Sequence, residues 1–152
     1  MIIEPTEARL NELRRKYHTG CVACGESDPL GLQVEWGVSQ LWDVEGRFYC
    51  SPALRSYDGQ LHGGVIALIL DCAMTNCLFS HGLAGLTLDM AVRFLHPLPV
   101  ERRAVFHASL QENSGPRFRL RSEITLNDKT IASATAKFVE RGAALAMRNL
   151  FS

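Results

Sequence analysis

Asp71 stands between Leu70 and Cys72 inside VIALILDCAMTNCLF, the most apolar stretch of the chain. A carboxylate among apolar side chains is costly unless it is paired or protonated. Residues 63–79 contain no Lys or Arg to pair with it. Two readings follow: an acid on a wet stripe of a helix or bonded to nearby backbone, or a general base or nucleophile at the end of an apolar cleft. Thr75, four residues on, shares the face of Asp71. Its hydroxyl either orients a water for the acid or bonds back to the carbonyl of residue 71. Gly63 and Gly64 precede the apolar run. They open bare backbone to a ligand, and the unpaired N–H groups of a first helical turn favour a developing negative charge. The alternative is a tight turn that requires glycine. His62, at the loop–helix junction, is better suited to ordering that loop than to acting as a base or ligand. Gly64 and Asp71 lie two helical turns apart, about 10 Å, whereas attack on a carbonyl needs donor and base each about 3 Å from the reacting group. If both serve one substrate, the donor comes from one subunit and the acid from its neighbour.

Cys21-x-x-Cys24 is half of a zinc site. His18, Cys50 and His96 are candidates to complete it, but their spacing matches no standard site, and a reduced structural turn is the favoured reading; neither a metal nor a cofactor is expected. Five cysteines is an odd count and the chain is expected to be cytoplasmic, so a disulfide framework is not expected. Arg117, Arg119 and Arg121 read as a solvated sheet face, or as contacts for substrate phosphates.

These residues must be positioned by a chain of 152 residues and 16.9 kDa, which is one domain's worth. Hydrophobic residues at 47% and charged residues at 21% argue against disorder. Sixteen basic residues cancel sixteen acidic ones, so nothing draws the chain to phosphate backbones and no nucleic-acid partner is expected. No apolar run reaches the roughly 18 residues of a membrane span, and the early acids of MIIEPTEARLNELRRKY argue against a secretory leader. Neither a membrane partner nor a leader is therefore expected.

Residues 5–16 form a short amphipathic helix by pattern, followed by the turn-rich loop CVACGESDPLGL. Period-two alternation marks strands at Leu32–Trp36 and Val44–Phe48. After a turn at Arg55–Gln60, residues 65–79 predict a helix about 22 Å long, apolar nearly all round and so buried nearly all round. Four more strands follow: Leu88, Met90, Val92 and Phe94 share one face, then come Val105–Gln111, Phe118–Leu126 and Ala132–Phe138, the last two joined by a turn at Asn127-Asp128-Lys129. The expected class is α+β, with an antiparallel sheet of about six strands wrapped around one central helix. It forms a single domain over 1–152, with a helix and loop in 1–20 and a tail in 142–152 that is either helical or frayed. One sheet cannot cover every side of such a helix, so a lid or a second copy of the chain must cover the rest.

SYDGQLHGGVIALILDCAMTNCLF followed by LTLDMAVRFLHPLPV resembles the hotdog-fold acyl-CoA thioesterases of the PaaI-like and hydroxybenzoyl-CoA thioesterase type, and CVACGESDPLGL resembles the opening of one branch of them. The resemblance covers roughly residues 20–140. Its most specific element is His-Gly-Gly with an acid nine positions after the histidine, met here by His62 and Asp71. It implies a hotdog fold and hydrolysis of an acyl-CoA to an acid and a thiol. The Gly63 amide, with Gly64, polarises the carbonyl, Asp71 acts as base or nucleophile, Thr75 assists and His62 holds the glycine loop. It also implies a site at a dimer interface, with dimers pairing further into tetramers. Several members carry Asn or Gln six residues before the histidine; here Ser56 holds that position with Asp58 and Gln60 nearby, and these three with Met90 are the candidate substrate contacts. The His-Gly-Gly signature counts against a hotdog hydratase. The rival from another class is a non-catalytic acyl-CoA sensor.

Overall fold

The computed structural model describes residues 2–151, with side chains described from Ile2 to Ala146. Met1 and Ser152 of the expected domain, and the side chains at the end of its tail, lie outside the described residues. The elements run α1 (Glu7–Tyr17), β1 (Glu35–Val38), β2 (Val44–Tyr49), α2 (Gly63–Ser80), β3 (Gly85–Phe94), β4 (Arg103–Ser114), β5 (Arg117–Leu126), β6 (Lys129–Glu140) and α3 (Arg141–Phe151). All strand pairs are antiparallel, and the six-stranded sheet has the order β1-β2-β4-β5-β6-β3. This is the expected hotdog arrangement. The tail takes the helical alternative, with the Glu140 carboxylate accepting from the amides of Gly142 and Ala143 at the start of α3.

The alternation in β5 and β6 is kept residue by residue. Phe118, Leu120, Ser122 and Ile124 are buried, and so are Ala132, Ala134, Ala136 and Phe138 across from them. Asn127 and Asp128 turn this hairpin with φ of 50° and 62°, the left-handed values that a two-residue turn between twisted strands demands. The three alanines let α2 settle close to the sheet. The Ser122 hydroxyl, buried on that face, donates to the Leu70 carbonyl of the helix at 3.1 Å.

Helix α2 begins two residues earlier than its apolar run because His62 caps it, and it ends where Gly82 takes φ +77°. By length and hydropathy it is apolar enough to cross a membrane, yet 67% of its residues are buried within this chain, as befits a core helix. The lid exists for half of it. Thr6 caps α1 and hangs it on α2 through Thr6 N–H to the Ser80 carbonyl at 2.9 Å. Tyr17 stacks on Phe79 and His18 meets the same ring edge-on at 4.9 Å. Every residue from Cys72 to Ser80 is buried, whereas Gly64, Val65, Ala67, Leu68 and Asp71 keep some exposure.

Two expectations need correction. The first strand starts at Glu35 rather than Leu32 because the Asp28 carboxylate accepts from the amides of Leu32 and Gln33, holding that segment in a loop with Gln33 at φ 49°. In β3 the register against β6 slips between Thr87 and Asp89. Thr87 pairs with inward-facing Phe138 and Met90 with Ala136, so this bulge takes Leu88 off the helix face and puts Thr87 on it.

Candidate active site

The carboxylate of Asp71 is half-exposed on the free side of α2. Its Oδ1 accepts a hydrogen bond of 2.6 Å from the Thr87 hydroxyl. That length is at the short end for a hydroxyl–oxygen hydrogen bond. Thr87 was not among the sequence candidates; only the bulge turns it toward the helix, and strict alternation gives no sign of it. Thr75, which was a candidate, is buried, and its hydroxyl donates to the Asp71 backbone carbonyl at 3.2 Å. The hydroxyl on the carboxylate is therefore that of Thr87, while that of Thr75 serves the helix.

At the other end of the exposed half of α2, His62 is the N-cap with φ −61° and ψ 134°. Its Nδ1 accepts from Gly64 N–H at 2.8 Å. The ring lone pair and the Gly64 amide are thus both committed to the cap, which corrects the expectation that Gly64 serves as a donor. Gly63 occupies the first helical position, where an amide has no acceptor within the helix. The Phe94 ring stands 3.5 Å from where a Gly63 side chain would begin. This junction is held rigidly: His62 N–H donates to Leu54 O at 2.9 Å and Leu61 N–H to Leu98 O at 2.8 Å.

Ser56, Asp58 and Gln60 lie in the turn that precedes the cap. Ser56 N–H reaches the Gln60 carbonyl at 3.0 Å, and exposed Asp58 lies 3.8 Å from Arg55. Met90 is half-buried on the inner face of β3. The sequence candidates therefore form two groups. His62, Gly63 and Gly64 sit with the 56–60 turn at one end, and Asp71 sits with Thr87 about 12 Å along the helix from Gly63, by eight residues of rise. The strand bearing Thr87 is one of the two edges of the sheet, and on and just beyond it Leu86, Leu88, Phe94 and Leu95 are each between 46% and 57% exposed.

Such a sheet around a capped helix with a lone acid defines a class. The sequence profile of the thioesterase superfamily matches residues 58–133, half of the chain, and the chain belongs to that family. Among curated relatives it is similar to the acyl-coenzyme A thioesterase THEM4 of Bos taurus, 30% identical over 116 residues, which make up 72% of this chain and 47% of that protein. The chain spans less than half the length of the curated relatives it matches, 38% for the Mus musculus protein of the same name. Among solved structures the E. coli PaaI protein of the phenylacetic acid degradation operon superposes with a TM-score of 0.72 at 14% identity, covering 88% of this chain and 94% of that one. A hypothetical thioesterase from Streptococcus pneumoniae, solved with coenzyme A, gives 0.64 at 17% identity, covering 70% and 89%. At these identities the likeness is one of fold.

Proposed function

We propose that this chain hydrolyses an acyl-CoA thioester to a carboxylic acid and CoA, in a site completed by a second copy of itself. The observation that carries this reading is Asp71, a lone acid on the exposed half of an apolar core helix, held by Thr87 on an edge strand of the sheet. Membership of the thioesterase superfamily and the coenzyme A seen with a structural neighbour support the substrate class. Pairing of two β3 edges would continue the sheet, cover the apolar side chains exposed along it, and bring Gly63 of one copy toward Asp71 of the other. Asp71 takes a proton from water as the water oxygen attacks the thioester carbonyl. The Gly63 amide holds the oxyanion, and the intermediate expels CoA thiolate, which recovers the proton from Asp71. The Ser56–Gln60 turn, beside the glycines, and Met90 place the substrate. The five free cysteines support a reducing, cytoplasmic setting.

The test is Asp71→Asn, nearly isosteric and unable to accept the proton. Across a panel of short, medium, long and aromatic acyl-CoAs, kcat/KM should fall by about 10²–10⁴. Hydrolysis at the wild-type rate would refute the mechanism. Binding without thiol release by the wild-type protein would instead identify an acyl-CoA sensor.

A further inference from the structure

The loop after α1 folds back so that ligand atoms of His18, Cys21 and Cys24 all lie within 4.8 Å of one another. His18 Nδ1 is 3.2 Å from Cys24 Sγ. A third thiol approaches from α2: buried Cys72 neighbours Cys21 and Cys24, with Asn76 Nδ2 3.6 Å from its sulfur, although it does not lie within 4.8 Å of all three of the other ligand atoms. Neither His96 nor Cys50, the earlier candidates, is among these clustered ligand atoms. Cys72 was missed because it is distant in sequence and reads as core.

We propose that His18, Cys21, Cys24 and Cys72 form a tetrahedral zinc(II) site that clasps the N-terminal arm to the central helix. Zinc bound by three sulfurs at about 2.3 Å and one nitrogen at about 2.0–2.1 Å sets neighbouring ligand atoms roughly 3.5–3.8 Å apart. His18 Nδ1 and Cys24 Sγ need only spread slightly from 3.2 Å to admit the ion, and the Cys72 thiol must draw in toward the trio to complete the site.

The loop is built as a metal knuckle in a second, independent respect. Cys21 N–H donates to the His18 carbonyl at 3.1 Å and Gly25 N–H to the Cys21 carbonyl at 2.9 Å, folding the two cysteines back toward the histidine. The turn closes so tightly that a side chain at Gly25 would meet the Cys21 carbonyl oxygen at 2.5 Å. Three thiolates and a neutral imidazole around zinc leave one net negative charge, and the Arg14 guanidinium, bonded to the Cys24 carbonyl at 2.7 Å, lies beside it. A cleft of about 230 Å³ beside His18 and Cys24 gives the ion a route in. Binding releases a proton from each thiol still protonated. The site stands whether or not the chain is a hydrolase.

The experiment titrates the full, reduced, metal-stripped chain with zinc against a chromophoric chelator, and with cobalt(II) as a spectroscopic probe. One zinc should bind per chain. Cobalt should give thiolate-to-metal charge transfer and intense tetrahedral ligand-field bands. Cys21→Ser and Cys24→Ser should each weaken zinc by at least about tenfold, since even outer-shell changes do so. Cys72→Ser should weaken it and lower the charge-transfer intensity, whereas Cys50→Ser should change neither. The wild-type titration needs no variant to fold. No uptake by the reduced protein, an octahedral cobalt spectrum, or uptake unchanged in Cys21→Ser and Cys24→Ser would overturn the site. A Cys72→Ser protein with wild-type affinity and spectrum would overturn the four-ligand assignment.

Discussion

Thr87 and Thr75 show how side chains of one type divide when only one faces the acid. Thr87 donates to the Asp71 carboxylate, and Thr75 bonds back to the helix. Removing a hydrogen bond to a charged group costs about 1.5–3 kcal/mol. Thr87→Val should therefore lower kcat roughly 10–100-fold with little change in KM, while Thr87→Ser keeps most of the rate. Steady-state kinetics on one acyl-CoA check this, and an unchanged kcat in Thr87→Val would remove the positioning role. Gly63→Pro is a second residue-scale test. Proline lacks the N–H but suits the first position of a helix, and His62 already has the extended backbone that precedes proline. The thermal midpoint should stay near wild type while kcat falls about 10²–10³-fold, the usual loss for one oxyanion donor.

Among the elements, α2 is held between sheet and arm by few polar contacts, and Asp43 anchors one of them. Its Oδ2 accepts from the Leu110 amide at 2.7 Å and lies 3.0 Å from His81 Nε2, while His81 Nδ1 bonds the Ile3 carbonyl. Burial works against the Asp43 charge, but His81 and the Leu110 amide outweigh it and hold the carboxyl below its ordinary 3.8. Asp43→Ala should cost about 1–3 kcal/mol by stranding these partners. Because the folded value is depressed, this stability is full above pH 3.8 and is lost as pH falls through the lower folded value. Thermal melts of Asp43→Asn and wild type should therefore converge on acidification below pH 4. Equal gaps at pH 3 and pH 7 would contradict it.

Much of this scale was legible in the sequence. Alternation in β5 and β6 and the apolar run of α2 are direct statements of which face is buried, and one sheet wrapped on one helix follows from them. The His62–Asp71 spacing was legible too, since helical rise turns sequence distance into length. What escaped depends on backbone irregularity or tertiary approach: the β3 bulge that exchanges Leu88 for Thr87, the Asp28 loop that delays β1, the His62 ring that takes the Gly64 amide, and the meeting of Cys72 with Cys21 and Cys24.

For the whole molecule, the exposed half of α2 and the apolar edge of β3 lie together, and the second copy proposed above would cover both. Leu88→Arg on that edge should shift the protein toward monomer in sedimentation and lower hydrolysis in proportion. A monomeric variant with full activity would place the entire site in one chain. The most direct measurement mixes two inactive proteins. Asp71→Asn retains the Gly63 donor, and Gly63→Pro retains the acid. Subunit exchange in equal amounts makes half the dimers mixed, each with one intact site of two, so thioester hydrolysis should recover to about a quarter of wild type. If donor and acid come from the same chain, the mixture stays as inactive as its parents.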